Sequence, residues 1–289
     1  MSLVKYEIYS KVSELQSFTK AAEVLGMTQS AVSHAMANLE KELGFTLFHR
    51  SRGGLTLTNE GRSMLVSIRK VLHYDEQVQQ EAAKITGLMK GTVKVGTFTS
   101  VSSTWLPEII KSMEQSYPHI RIELIEGDYE AIDRWILNGK LDCGFINVDS
   151  SSHFDVIPLK KDRLRCIVST DHPFSKRSEI SVQELKDIPF IMPTYGGYHE
   201  VKDLFAKQEI QPNIRFELMA EDSIKSMVAH NFGVSILPEL LLETIPKNCV
   251  VMPLKEESYR TLGLAMKFNL SPAAKRFVEI TEKWLASFY

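Results

Sequence analysis

The stretch Phe18–Val32 limits the fold more than any other part of the chain. It reads Phe-Thr-Lys-Ala-Ala-Glu-Val-Leu-Gly-Met-Thr-Gln-Ser-Ala-Val. A helical pattern over about 18–25 is broken by Gly26, a residue that takes the positive φ of a sharp turn without strain. Thr28 is placed to cap the next helix through its hydroxyl. Ala22 is small enough for two helix backbones to approach, and Val32 and Ala35 lock the second helix onto the first. The spacing predicts a helix-turn-helix.

The second helix of such a pair lies in a DNA major groove, so its outer face is informative. At roughly 100° per residue, Val32, Ala35, Met36, Leu39 and Leu43 gather on one stripe. Ser30, Ser33, His34, Ala37 and Lys41 fall on or towards the other side. A merely solvated helix has no need of so small and polar a face, whereas a helix pressed against DNA does. Gln29 stands at the helix start, where it either aims at an adenine edge or joins Ser30 in capping the helix. A further helix, about Val4–Leu15, precedes the pair with Ile8, Val12 and Leu15 on one face. Downstream, the alternation Leu55-Thr-Leu-Thr58 suggests a strand and Gly53-Gly54 a tight hairpin. This makes a wing whose Arg50 and Arg52 suit phosphate or the minor groove. The candidate DNA contacts are therefore Thr28, Gln29, Ser30, Ser33, His34, Arg50 and Arg52.

From Thr58 or Asn59 to about Met89 the chain lacks proline. Met64, Ile68, Val71, Val78, Ala82, Ile85 and Met89 follow a heptad seam, with Asp75 at the one polar position. A single long helix with such a seam either pairs with a copy of itself or packs on its own domain. Pairing would present two recognition helices to half-sites about 34–36 Å apart, or a multiple of that.

Beyond Gly91 strands and helices alternate. Strands are expected at about 92–98, 120–126 and 141–147, with an apolar helix face at Leu106, Ile109, Ile110 and Met113 and a helix at 129–137. This βαβαβ order implies a parallel sheet with flanking helices. Two strands, about 154–159 and 164–169, then lead into a second α/β stretch. It has strands at 188–192, 214–218 and 234–237 and helices at 200–207 and 222–231. A strand at 261–268 returns, and a helix at 272–288 ends the chain. The fold class expected is α/β: a winged helix-turn-helix, a long linker helix and a two-lobed, periplasmic-binding-protein-like effector domain. The boundaries read as 1–58, 59–89 and 90–289, with lobe I at about 90–160 and 266–289 and lobe II at about 161–265. Ligands in such folds sit beyond the C-terminal ends of strands. Those positions hold Thr99, Ser100, Ser102, Asp128, Phe145 and Asn147 in the first lobe, and Thr194, Tyr195 and Asp222 in the second. Any one of them is equally readable as an ordinary cap or turn residue.

Charge is uneven. Residues 1–70 carry nine Lys and Arg against six Asp and Glu, and residues 89–289 carry 24 against 27. A weakly basic head on a weakly acidic body permits a head that touches phosphate. Cys143, Cys166 and Cys249 lie far apart in no paired motif and read as buried thiols, not as a disulfide framework. No apolar run approaches the roughly 20 residues of a membrane span, and Met1–Ser10 has no signal-peptide pattern. The expected location is the cytoplasm.

The segments 17–33, 39–50 (Leu-Glu-Lys-Glu-Leu-Gly-Phe-Thr-Leu-Phe-His-Arg) and 57–61 (Leu-Thr-Asn-Glu-Gly) closely resemble the LysR-type transcriptional regulators. In the body, Asn231-Phe-Gly-Val-Ser-Ile-Leu-Pro238 looks like the family's second-lobe strand. The resemblance implies a homo-oligomer, commonly a tetramer of paired dimers. It also implies double-stranded DNA and RNA polymerase as partners, and a small organic or anionic effector between the lobes in place of any other cofactor. Carried onto this chain, Gln29, Ser30, Ser33, Arg50 and Arg52 match the family's DNA contacts. Members often carry Arg or Lys after the serine of the recognition helix, where this chain has His34.

Two other readings are weaker. An enzyme with a DNA-binding appendage would need a catalytic constellation. The eight histidines are scattered without a His-x-x-x-His pair, and no Gly-x-Ser-x-Gly elbow or phosphate-binding Gly loop with Lys occurs. An architectural DNA binder would have no use for a two-lobed body.

Overall fold

The computed structural model describes residues 2–51, 54–150, 154–194, 199–266 and 269–288. Cα packing separates two units. One comprises Met1–Gly91, Leu137–Lys140 and Ser271–Ala273; the other comprises Thr92–Ile136, Leu141–Leu270 and Ala274–Tyr289.

The first unit holds helices α1 (Leu3–Leu15), α2 (Phe18–Leu25) and α3 (Gln29–Leu43), a hairpin of β1 (Phe48–Ser51) and β2 (Gly54–Leu57), and α4 (Asn59–Ile85). Gly26 ends α2 with φ 64°, the left-handed turn expected of it. Ile8, Tyr9, Val12, Ala21, Ala22, Val32, Met36, Leu39, Leu47 and Ile68 close one core. The Glu40 carboxylate accepts from the Leu47 and Phe48 amides at 2.7 and 3.3 Å, so α3 is tied to the root of the hairpin. Thr58, expected as the last strand residue, instead caps α4. Its Oγ1 accepts from the Gly61 amide at 2.8 Å and donates to the Thr46 carbonyl at 2.9 Å. Tyr9 Oη donates to the Gly61 carbonyl at 2.6 Å, and burial pushes that phenol up to about 12.

Gly61 sits so close to the hairpin root that a Cβ there would run into the Leu47 carbonyl oxygen. That obstacle is backbone and cannot rotate away. The Gly61→Ala chain should lose about 1–3 kcal/mol of stability, read as an earlier thermal unfolding transition; an unchanged transition would show that the hairpin root shifts freely.

The second unit is built on β3 (Gly91–Thr97), α5 (Thr99–Thr104), α6 (Leu106–Ser116), β4 (Ile120–Glu126), α7 (Tyr129–Leu137), β5 (Cys143–Asn147) and β6 (Asp155–Ser169). It continues with β7 (Phe190–Pro193), α8 (His199–Lys207), β8 (Ile214–Leu218), α9 (Glu221–Ala229), β9 (Ser235–Pro238), β10 (Cys249–Pro253), β11 (Tyr259–Met266) and α10 (Pro272–Phe288). The main sheet runs β10-β6-β11-β5-β3-β4, and β9 also pairs with β6. The parallel pairing expected of the βαβαβ stretch is present between β3 and β5. An antiparallel β11 lies on the other side of β5. β7 and β8 form a separate parallel pair.

The expectation of two strands between 154 and 169 is corrected: β6 is one strand of 15 residues. The charged run Lys160-Lys-Asp-Arg163 reads as a break. It does not break the strand because Asp162 is neutralised across the ladder by Arg260, its direct partner in β11. The first half of β6 pairs with β11 and the second half with β9 and β10, so β6 and β11 cross between two arms. Gly144 in β5 lets α7 lie against the sheet, where a Cβ would meet Ile132 at 2.5 Å. Strand β10 was not anticipated; it is five residues long, and two of the five are only half-buried.

Candidate nucleic-acid interface and small-molecule site

The proposed reading head is held by local chemistry. Thr28 Oγ1 accepts from the Ala31 amide at 3.2 Å and lies 3.0 Å from Ser30 Oγ. Val32, Met36 and Leu39 are buried. Thr28, Gln29, Ser30 and His34 are exposed and Ser33 is half-buried, so the angular reading of α3 is matched residue by residue. The free amides at the start of this 15-residue helix carry a partial positive charge suited to phosphate. Arg50 is exposed on β1 opposite Leu55, and its guanidinium lies 4.7 Å from the centre of the Phe18 ring. This cation–π contact holds the charge beside α2. Arg52 falls outside the described residues.

The residues proposed for the effector do not form one cluster. Thr99 and Asp222 line an open cavity of about 280 Å³, together with Ser103, Thr104, Glu221 and Lys225. Ser102 Oγ donates to the Thr99 carbonyl at 3.2 Å and lies 3.4 Å from Glu126 Oε1. Asp128 caps α7 by accepting from the Ala131 amide at 2.7 Å. Phe145 is fully buried, with its ring edge on Trp105; β5 is covered on both faces, so a side chain that reads as strand-end is core. Thr194 is exposed, with its amide on the Leu218 carbonyl. Tyr195 lies outside the described residues.

Ser100 and Asn147 belong to a buried polar hub that sequence reasoning missed. Arg260 is 3% exposed and Asp162 fully buried. Arg260 Nε and Nη2 donate to Asp162 Oδ2 at 2.9 and 2.7 Å. Nη1 donates to Tyr129 Oη at 2.8 Å and Nη2 to Ser100 Oγ at 2.7 Å. The guanidinium also lies 5.4 Å from the centre of the Phe98 ring. Asp162 Oδ1 accepts from the Leu240 amide at 3.1 Å. Burial pushes Tyr129 up to about 12, against the lowering pull of Arg260 and with a smaller push from Glu200. Asn147 Nδ2 donates to Glu200 Oε1 at 2.7 Å, linking β5 to α8. A period-two signal was available in the sequence. Asp162 continues the inward row Leu164, Cys166 and Val168, and Arg260 the row Leu262 and Leu264.

The cysteines read as buried are buried, and burial pushes the Cys166 thiol up to about 12. Asp142 accepts from the Lys94 amide at 2.7 Å, a structural tie between β5 and β3. Among the described residues no helix is long and apolar enough to cross a membrane.

Residues 3–62 match the bacterial regulatory helix-turn-helix protein, lysR family, and residues 86–286 the LysR substrate binding domain. The uncharacterized HTH-type transcriptional regulator YvbU of Bacillus subtilis (strain 168) is 33% identical over 288 residues, covering 98% of each chain. A full-length OxyR variant from Pseudomonas aeruginosa has a similar fold, with a TM-score of 0.79 and 23% identity over 99% of this chain and 94% of that one. Full-length CbnR complexed with its target DNA has a TM-score of 0.68 and 18% identity, covering 98% and 99%. A reading head matched over its whole length, followed by a substrate-binding body, sets aside the enzyme alternative: the chain belongs to the LysR family of helix-turn-helix transcriptional regulators.

Proposed function

We propose that α3 reads an operator through Thr28, Gln29, Ser30, Ser33 and His34, with Arg50 and Arg52 on the flanking backbone. The observation that carries this is the exposed small polar face of α3, presented by a helix locked at its cap and its buried stripe. The functional division follows as 1–58 for reading, 59–89 for pairing and 90–289 for sensing, the last with lobes 90–160 plus 266–289 and 161–265. A small organic or anionic effector in the body shifts operator affinity. The assembly is a homodimer through α4 and a homotetramer by further pairing; it works in the cytoplasm and acts on RNA polymerase.

In the Gln29→Ala and Ser33→Ala chains, operator affinity in a gel shift should fall roughly tenfold or more, since a good base contact contributes about 1–3 kcal/mol. Thermal unfolding should stay unchanged, because neither side chain is in the core. Operator affinity unaltered in both variants would remove α3 as the reader.

A further inference from the structure

The buried hub constrains more than stability. Arginine has donors only and accepts nothing. When Arg260 donates to Ser100 Oγ and Tyr129 Oη, both oxygens are acceptors in those bonds. Each hydroxyl therefore keeps its own hydrogen for another partner. Among the described residues neither hydroxyl donates that hydrogen to a protein atom. Both side chains are more than nine-tenths buried. Buried donors are almost always satisfied, so a pair of them left open beside one guanidinium is a specific request for an acceptor.

The geometry points to a small-molecule subsite at Ser100 and Tyr129 that takes an oxygen acceptor, a carbonyl or a carboxylate, with Arg260 as the positioning residue that fixes the polarity of both hydroxyls. This rests on the reading that the body senses a small molecule, and adds which polarity of ligand it takes. Asp162 holds the guanidinium in place through Oδ2. Tyr129 keeps its hydrogen across the physiological range, because burial holds the phenol neutral. With Arg260 gone, both hydroxyls would rotate freely and serve donors and acceptors alike.

The test uses three probes of one shape: acetate, acetamide and acetamidinium. The first offers two carboxylate oxygens, the second a carbonyl, and the third donors only. Saturation-transfer NMR reads the probe methyl on the full-length chain. Transfer is expected to acetate or acetamide, and which of the two responds separates carboxylate from carbonyl. Acetamidinium should stay at background. Tyr129→Phe should weaken the responding probe roughly threefold to tenfold, the range for one hydrogen bond. The double replacement Arg260→Met with Asp162→Leu should abolish the discrimination between acetamide and acetamidinium, a change that loss of packing alone would not produce. Equal or greater transfer to acetamidinium in the natural chain overturns the proposal, and so does transfer to none of the three; that comparison needs no variant to fold. Operator binding with and without the responding probe tests the sensing reading separately. Discrimination with unchanged operator affinity would leave the subsite standing and count against its use as a switch.

Discussion

The Asp162→Ala chain should lose about 3–5 kcal/mol of stability, the cost of leaving one member of a buried ion pair without its partner. The loss has three parts in this structure. Arg260 would keep its charge at 3% exposure with only hydroxyls and a ring face around it. The Leu240 amide would lose its acceptor. The ladder between β6 and β11 would lose its charged cross-strand pair. Since whole domains are stable by only about 5–15 kcal/mol, this single change should move the unfolding midpoint of the body far down the urea scale. Replacing both partners by apolar residues, Asp162→Leu with Arg260→Met, should restore most of the loss, because the desolvation cost disappears with the charges. Urea unfolding of the two single variants and the double variant gives the coupling directly. An Asp162→Ala midpoint equal to that of the natural chain would mean that water reaches the pair.

Assembly is the second large effect. Val71, Val78 and Ile85 are 44%, 68% and 81% exposed on α4, seven residues apart. Three apolar side chains in a straight row on a 27-residue helix fit pairing with a second copy. In the Val78→Glu chain the single protomer should fold as before, since nothing in it covers that side chain. Pairing would place two carboxylates face to face and should fail. Operator affinity should then fall by about 10²–10⁴-fold, the advantage of tethering two reading heads. Sedimentation velocity and a gel shift on the same preparation check both halves. A Val78→Glu chain that remains dimeric would put the pairing surface elsewhere.

Much of this architecture is legible without coordinates, and the legible parts share a cause. The bounds of α2, β4, α7, β8 and α10 coincide with the expected ones. Gly26 closes α2, and Pro272 starts α10. The DNA-facing residues were legible for the same reason: capping and stripe are both written within fifteen positions. The sensing site was not. Arg260 and Asp162 are 98 positions apart, and only the pairing of β6 with β11 brings them together. The alternation that includes them in inward rows was visible, but a charge in such a row reads first as a break. Phe145 failed differently. Being at a strand end suggested access, and only the strand order shows β5 enclosed between β11 and β3.

The clamp at the start of α4 has a mechanical consequence. Thr58, Gly61 and Tyr9 join the helix to the hairpin root and to α1 through three hydrogen bonds. The reading head and α4 therefore turn together as a lever. A helix of 27 residues is about 40 Å long. Tilting such an arm by about 10° sweeps its end through about 7 Å, close to two base-pair steps of DNA. A change of tilt too small to break any contact in the core is thus enough to move α3 out of register with a half-site.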